Sequence, residues 1–357
     1  MAYKINPFHQ LLWRTPNTVQ IGVGVRRKII AGISSGQERL IDALYFGIGE
    51  AQLGAMAKQA RVSLETAKEL ITELDSVLLK DVVAADNAST DDTQIARSEL
   101  VRAGLDFDLP GPVVAGKRRD RAVHLDTLDP TGLTLLLALA AAGVGTFTTR
   151  DNARVSRDDI ASNVYPAALL GQFRHQAARL ILDSSWPGAR LVYTNRSTDK
   201  KTARVDLAVL VHHQVTAPSV VAIWRTMSVP VLEIRYQPDG VEITPVLTEN
   251  AGCLICRDHY RQDIDDGHLT LSAQLLGSDL RFDDGSSRLV AAGIASQQIL
   301  DFLDRAEGPA VELAAFRYWR QDSAGRIGGT RLEATEWLPH PQCGCQITAA
   351  AVLSEAS

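Results

Sequence analysis

The chain contains 357 residues, of which 45% are hydrophobic and 22% are charged, and its net charge at pH 7 is −5. This composition is typical of a folded protein with a sizeable core and excludes a mostly disordered chain. Its length predicts two or three domains, and its negative charge argues against a protein built throughout to bind nucleic acid. The longest apolar run, residues 135–144, is too short to span a bilayer, and the N-terminus lacks an export signal. We therefore expect a cytoplasmic protein with no membrane partner.

Residues 1–83 have the pattern of a small domain with three strands followed by three helices. Short strand-like segments at residues 11–14, 18–21 and 28–31 are separated by turn formers. Three apolar stripes at helical spacing follow, and Ser63 lies where the N-cap of the third helix would be. This inventory predicts a winged-helix domain. The polar, acidic stretch at residues 84–94 then predicts an interdomain linker.

Residues 95–357 have the pattern of a larger α/β domain. Strand-like and helical segments alternate from residue 122 onwards, and residues 205–211 are almost continuously apolar, as parallel strands are. Residues 310–320 and 330–338 predict a closing hairpin. This alternation favours a mostly parallel, Rossmann-type sheet with helices on both faces.

The four cysteines form two close pairs. Cys253 and Cys256 are a CxxC pair, and Cys343 and Cys345 are a CxC pair. Two such pairs brought together by the fold supply the four thiolates that structural zinc prefers. His259 and His340 lie near the pairs and are expected to act outside the ligand shell. Two redox-active pairs, or plain buried cysteines, are the alternatives. If zinc binds all four, no thiol remains to act as a nucleophile.

Several segments resemble the ThiF/MoeB superfamily, the fold of ubiquitin-activating enzymes. Residues 141–151 (AAGVGTFTTRD) are similar to a segment after that family's first helix. A more specific resemblance is to the branch that serves thiazole/oxazole-modified (azoline) peptide biosynthesis. It rests on residues 13–22, 151–159, 253–259 (CLICRDH) and 340–345 (HPQCGC). This resemblance covers nearly the whole chain.

The resemblance implies that residues 1–83 are a PqqD-like element that binds the leader of a ribosomally made precursor peptide. Such binding works by β-augmentation, in which the extended peptide pairs with a strand edge and a neighbouring helix supplies pockets. The edge would lie at residues 26–33 and the helix at residues 64–78. The candidate peptide-binding residues are Arg26, Lys28, Ile30, Lys68 and Ile71.

A DNA-reading winged helix is the competing interpretation of residues 1–83, and it would make the chain a zinc-containing regulator. Its recognition helix would need exposed basic residues. Here Lys68 stands alone among acidic residues such as Glu65, Glu69 and Glu73. Nucleic-acid binding is therefore disfavoured.

The chain departs from the superfamily at the turn that usually cradles phosphate. Residues 125–132 (LDTLDPTG) contain a single glycine, and Asp126 and Asp129 place negative charge where an anion should bind. This argues against ATP binding, and we assign no catalytic or cofactor-binding residue.

The resemblance and this departure together favour a non-catalytic, leader-peptide-binding partner of a YcaO-type cyclodehydratase. The alternative is a ThiF/MoeB-like enzyme that uses ATP to adenylate a peptide carboxylate. The resemblance also implies pairing through the α/β domain, as a homodimer or with another subunit.

Overall fold

The computed structural model describes residues 2–79, 95–194, 204–249, 251–305, 314–321 and 327–346. The linker expected at residues 84–94 lies outside these ranges. The chain divides into two compact units, Met1–Arg118 and Arg119–Ser357. The first unit therefore extends beyond residue 83, because residues 95–118 group with it.

Residues 11–74 of the first unit contain a three-stranded antiparallel sheet followed by three helices, in the order expected from the sequence. Its strands are β1 (Ala2–Tyr3), β2 (Leu11–Thr15), β3 (Thr18–Ile21), β4 (Lys28–Ala31) and β5 (Ile48–Gly49). Strands β2, β3 and β4 form the sheet in that order, and β1 pairs with β5. The helices are α1 (Ser35–Phe46), α2 (Leu53–Ala60), α3 (Leu64–Leu74), α4 (Arg97–Phe107) and α5 (Gly111–Arg119).

The local sequence explains where the helices of the first unit begin and which face they bury. The Ser63 hydroxyl accepts the backbone N–H of Thr66 at 3.0 Å and so caps α3, as expected. Ala67, Leu70 and Leu74 follow at helical spacing and are buried. Helix α3 therefore packs one apolar stripe into the core and leaves its acidic face exposed.

The second unit is built on one eight-stranded mixed sheet. Its strands are β6 (Ala122–Leu125), β7 (Thr146–Thr149), β8 (Arg190–Tyr193), β9 (Leu207–His213), β10 (Val231–Gln237), β11 (Gly240–Ile243), β12 (Ala314–Gln321) and β13 (Ile327–Glu336). Their order across the sheet is β13-β12-β11-β10-β9-β6-β7-β8. Strands β6 to β10 are parallel, whereas β11, β12 and β13 add antiparallel pairs at one end.

Helices cover both faces of this sheet. They are α6 (Pro130–Ala141), α7 (Arg157–Ala161), α8 (Arg174–Ser185), α9 (Pro218–Thr226), α10 (Leu254–Ile264), α11 (His268–Leu275) and α12 (Gly285–Asp304). Residues of α6, α8 and α12 share one apolar core with the sheet. Residues of α9 and α10 form a second, smaller core with its opposite face.

The parallel strands have the order of a doubly wound sheet, in which the chain adds strands first on one side of β6 and then on the other. The order reverses between β6 and β9, since β7 and β8 lie to one side of β6, and β9 and β10 lie to the other. In sheets of this kind, ligands bind at the carboxyl ends of the strands at the reversal.

The mixed α/β class and the mostly parallel sheet agree with the sequence-based expectation. No helix in the described ranges is both long and apolar enough to cross a membrane.

Candidate functional site

The four cysteines come together in the second unit. The Sγ atoms of Cys253 and Cys256 are 3.8 Å apart, those of Cys253 and Cys343 are 3.6 Å apart, and those of Cys256 and Cys345 are 3.3 Å apart. All four sulfurs lie within 4.8 Å of one another. Zinc with Zn–S bonds of about 2.3 Å separates tetrahedral sulfur ligands by about 3.8 Å. The cysteines therefore could bind a metal ion such as zinc.

The cysteines lie on two chain segments, the start of α10 and the residues after β13, and Gly252 allows the two segments to lie close together. Cys253 is the N-cap of α10, and the N–H of Cys256 donates to its carbonyl at 3.0 Å. A Cβ at Gly252 would lie 2.5 Å from the carbonyl oxygen of Leu338, so only glycine fits this crossing. The indole of Trp337 donates to the Gly252 carbonyl at 2.7 Å. The crossing thus places the CxC pair against the start of α10.

The thiols are largely shielded from solvent. Cys256, Cys343 and Cys345 are buried, and Cys253 is half-buried. Burial raises the pKa of Cys253 to about 11 and also raises the pKa of Cys256. Since thiols with such pKa values stay protonated at neutral pH, a bound metal would be the group that stabilises the thiolates.

His340 lies beside the cysteines but has both ring nitrogens engaged. Its Nε2 is 2.8 Å from Oδ2 of Asp263, and its Nδ1 accepts the N–H of Gln342 at 3.2 Å. His259 stacks on the His340 ring with 5.0 Å between the centroids. The candidate ligand set is therefore the four sulfurs, with the histidine pair beside it as the sequence predicts.

A second candidate site lies where the strand order reverses. Asp126 follows β6, and His212 lies near the carboxyl end of the neighbouring β9. The Nε2 atom of His212 is 3.8 Å from Oδ2 of Asp126, and its Nδ1 atom is 3.4 Å from Oε1 of Glu233. These three groups form a row of charged side chains that runs from the crevice at the carboxyl ends of β6 and β9 into the sheet.

The charges in this row shift one another's pKa values. Burial opposes the ionisation of Glu233, but Arg257 and His212 outweigh it and lower the pKa of Glu233 to about 2. Burial also opposes protonation of His212, but hydrogen bonding and charge from Glu233 outweigh it and raise the pKa of His212. Burial raises the pKa of Asp126, and His212 partly opposes this. A fully buried carboxylate thus stays ionised beside a histidine that protonates readily.

Three backbone N–H groups between β6 and the first turn of α6 donate to side chains of the chain itself. The N–H of Leu128 donates to Oδ2 of Asp151 at 2.7 Å, and the N–H of Gly132 donates to Oδ1 of Asp129 at 3.0 Å. The N–H of Asp129 donates to the Thr127 hydroxyl at 3.1 Å. Pro130 has no N–H to offer. Three of the donors near this helix N-terminus, where phosphate would bind, therefore already have side-chain partners.

An arginine also fills the space between the carboxylates of this crevice. Nη2 of Arg281 lies 2.7 Å from a carboxylate oxygen of Asp129 and 2.7 Å from one of Asp283. Asp129, His213 and Asp283 have ligand atoms within 4.8 Å of one another. Because the Arg281 guanidinium already pairs with both carboxylates, this cluster is better described as an ion-pair network than as a cation site.

A buried charged layer lies between the sheet and α10, and sequence reasoning missed it. Nη1 of Arg257 lies 2.5 Å from Oε2 of Glu233 and 3.1 Å from Oε1 of Glu242. Arg261 and Arg317 also pair with Glu242, at 3.0 and 2.7 Å. The signal was the alternation of charged and apolar residues over 231–237 (VLEIRYQ). That alternation is also typical of a strand with one exposed face.

The candidate peptide-binding residues lie in the first unit in different environments. Arg26 forms an ion pair with the buried Asp108 at 2.5 Å and donates to the Leu105 carbonyl. Ile30 is only 5% exposed and belongs to the core. Their side chains are thus occupied within the unit, which leaves the backbone of β4 as the available part of this edge.

The other candidates are more accessible. Lys68 is exposed on α3, and Lys28 and Ile71 are partly buried. Two exposed apolar residues that the sequence did not single out lie beside them in the chain. Ile29 on β4 is 39% exposed and Leu64 on α3 is 46% exposed. The sequence signal for Ile29 was the alternation of side chains along a strand, and that for Leu64 was its position in the first turn of a helix.

Comparison with known proteins identifies related folds. No protein-family model matches the chain, and no curated protein does. Among solved structures, E. coli MccB with ATP is 15% identical, with a TM-score of 0.67, and the match covers 97% of this chain and 100% of MccB. The microcin C7 biosynthetic enzyme MccB in complex with N-formylated MccA is 14% identical, with a TM-score of 0.67 and the same coverage.

PaaA has a similar fold. It is 16% identical to this chain, with a TM-score of 0.63, and the match covers 92% of this chain and 98% of PaaA. These similarities agree with the ThiF/MoeB-like fold that the sequence resemblance implies. The chain therefore has the fold of the microcin C7 biosynthetic enzyme MccB over nearly its whole length.

Proposed function

We propose that this chain is a non-catalytic protein that binds the leader of a ribosomal precursor peptide and presents it to a YcaO-type cyclodehydratase. The observation that carries this proposal is the self-capped loop between β6 and α6. Its backbone donors bind Asp129 and Asp151, so the usual phosphate position carries negative charge. The fold is shared with the microcin C7 biosynthetic enzyme MccB, but the loop after β6 in this chain offers fewer free backbone donors and more negative charge to a phosphate.

Peptide capture by the first unit is supported by the free edge of β4. This strand pairs with β3 on one side, and no described strand pairs with its other side. Ile29 and Leu64 offer exposed apolar surface for alternate side chains of an added strand. The MccB complex with MccA is a further support, because it is a peptide complex of a protein with this fold.

The metal belongs to this proposal as a structural element. Zinc held by Cys253, Cys256, Cys343 and Cys345 would have no open coordination position, since four thiolates complete a tetrahedron. Its contribution would be to fix the CxC segment against α10. All four thiols would then be ligands, which leaves none for covalent catalysis.

Adenylation of a peptide carboxylate is the second candidate. The comparisons favour it over the first, because the matching structures include an ATP complex of MccB. It requires that ATP enter the crevice beside β6 although Asp126 and Asp129 lie there. Pyrophosphate exchange with the precursor peptide separates the two functions. Exchange supports adenylation, and its absence together with leader binding supports the presenting role.

Titration calorimetry with the leader peptide encoded beside this gene tests the first candidate. We expect binding to the full chain that is weakened at least tenfold, about 1.4 kcal/mol, by Ile29→Asp or Leu64→Asp. The matched control is Phe46→Asp, because Phe46 is 87% exposed in the same unit but lies at the end of α1. Equal affinity in all three variants, or no binding by the wild type, would overturn the proposal.

A further inference from the structure

A cavity of about 670 Å³ lies in the second unit on the side of the sheet that carries α9. Strands β6 and β7 contribute His124 and Thr148 to it, and α9 contributes Trp224. Part of its wall is apolar, formed by residues such as Met227, Val229 and Phe302. Cavities of this size hold small organic ligands.

The polar part of this cavity is strongly basic. Its arginines are Arg121, Arg150, Arg204 and Arg305. Among the described residues that line it, Asp206 is the only acid, and Oδ1 of Asp206 lies 3.3 Å from Arg121. A chain with a net charge of −5 thus concentrates positive charge in one concave site, which favours an anionic ligand.

His124 gives a second, independent indication of a ligand. It is 2% exposed, and its Nδ1 lies 2.9 Å from the Thr148 hydroxyl. Its Nε2 is buried without a hydrogen-bond partner. Burial and the charge of Arg150 lower the pKa of His124 to about 3, so the imidazole is neutral at neutral pH. Buried polar atoms normally have partners, and a bound molecule in the cavity would supply one.

The aromatic surroundings hold this imidazole in place. The rings of His124 and Trp224 have centroids 4.6 Å apart, and the Arg150 guanidinium lies over the Trp224 ring at 5.7 Å. Arg150 therefore lies beside the histidine at the inner end of the site, whereas Arg204 and Arg305 are exposed. The arrangement places the His124 and Arg150 side chains at the more buried part of the site and the two exposed arginines at its rim.

We propose that this cavity binds an organic phosphate of about nucleotide size. The arginines would hold the phosphate, since guanidinium groups match its oxygens in charge and geometry. The apolar wall would contact the organic part, and Nε2 of His124 would hydrogen-bond to the ligand. This site is distinct from the self-capped loop, so the inference does not depend on the proposed peptide-binding function.

Calorimetry and tryptophan fluorescence with AMP, pyrophosphate and citrate test the proposal on the full chain. We expect AMP to bind and to change the fluorescence of Trp224. Affinity should fall about tenfold, which corresponds to one lost ion pair of about 1.4 kcal/mol, in Arg150→Gln and in Arg204→Gln. Arg204 is exposed, so its variant should fold normally. Arg179→Gln is the matched control, because the Arg179 side chain is 68% exposed and lies on α8.

Three results would overturn the proposal. One is that neither AMP nor pyrophosphate binds. A second is that citrate binds as tightly as AMP, which would make the site a general carboxylate site. The third is binding that survives Arg204→Gln but is lost in Arg281→Gln, because this would place AMP in the crevice beside β6. Pyrophosphate binding that is weakened by the same arginine variants would support the phosphate assignment.

Discussion

Arg257 donates to the fully buried Glu233 at 2.5 Å, and Arg257 is the residue that follows Cys256. Cys256, a candidate metal ligand, and Arg257, which pairs with the buried Glu233 on the sheet, are therefore neighbours on the first turn of α10. Any movement of the CxxC pair would also move the partner of Glu233. The metal centre and the charged layer thus form one connected structure.

Replacing Glu233 should destabilise the second unit strongly. Glu233→Gln removes the carboxylate nearest to the buried Arg257, which keeps Glu242 and the partly exposed Asp258 as partners, and breaking a buried pair in this way costs about 3–5 kcal/mol. Denaturant unfolding monitored by circular dichroism measures the change. The control is Asp258→Asn, because the Asp258 side chain is 27% exposed and lies 3.7 Å from Arg257. A loss in Glu233→Gln no larger than in this control would contradict the prediction.

The same pair should make the protein sensitive to acid. The pKa of Glu233 is lowered in the folded state from 4.5 to about 2, so the unfolded chain binds its proton first. Its stabilising contribution is present above pH 4.5 and is lost as the pH falls towards about 2. Thermal unfolding at a series of pH values should therefore show a steeper acid loss in the wild type than in Glu233→Gln. Parallel curves would refute this.

His212 should have the opposite dependence on pH. Its pKa is raised above 6.5 although burial alone would lower it, because Glu233 and Asp126 favour the protonated ring. The stabilising contribution is therefore complete below pH 6.5 and is lost as the pH rises through the folded-state pKa. NMR titration of the His212 ring should give a midpoint above 6.5, the value of an unperturbed histidine, and a midpoint below 6.5 would contradict the assignment.

Metal analysis tests the four-cysteine site directly. We expect about one zinc per chain, and Cys343→Ser with Cys345→Ser should abolish binding and unfold the surrounding segment. Elemental analysis and thermal unfolding measure the two effects. His259→Ala is the control, because His259 stacks on His340 and is not among the clustered sulfur ligands. Wild-type protein that is folded and free of zinc after purification without chelator would argue against the site.

Gly252 gives a second test of the same centre without removing a ligand. Gly252→Ala would place a Cβ 2.5 Å from the Leu338 carbonyl oxygen, so the two segments must separate. We expect weaker zinc retention against a competing chelator and a lower unfolding temperature. Gly277→Ala is the control, because nothing lies within 4 Å of its Cβ position. Equal zinc retention in the two variants would count against this role of Gly252.

Local patterns in the sequence predicted much of the fold. The segments 18–21 and 28–31 are strands β3 and β4, and Ser63 caps α3, because turn formers and side-chain caps act over a few residues. The cysteine pairs were also recognisable, since their spacing reflects the geometry of the ligand set rather than the rest of the fold. Such features depend little on tertiary context.

The charged layer could not be predicted in the same way. Glu233 and Arg235 alternate with Leu232, Ile234 and Tyr236, which is equally typical of a strand with one solvated face. Only the packing of α10 across that face buries them. Similarly, Ile30 looked available for binding, but its place in the alternation of β4 puts it in the core. The decisive information lies in which helix covers which face.

The CxC segment follows β13 of the last described hairpin and meets the cysteines at the start of α10. Strands β12 and β13 extend the sheet beyond β11, and Cys343 lies 90 positions after Cys253, the residue it meets. If chelation freed this segment, the hairpin could detach and expose β11 as an unprotected edge. Val241 and Ile243 on β11 are apolar, and such edges recruit other chains. Metal-depleted protein should therefore aggregate before it unfolds completely. In that case, metal binding by the cysteines would also keep the protein from aggregating.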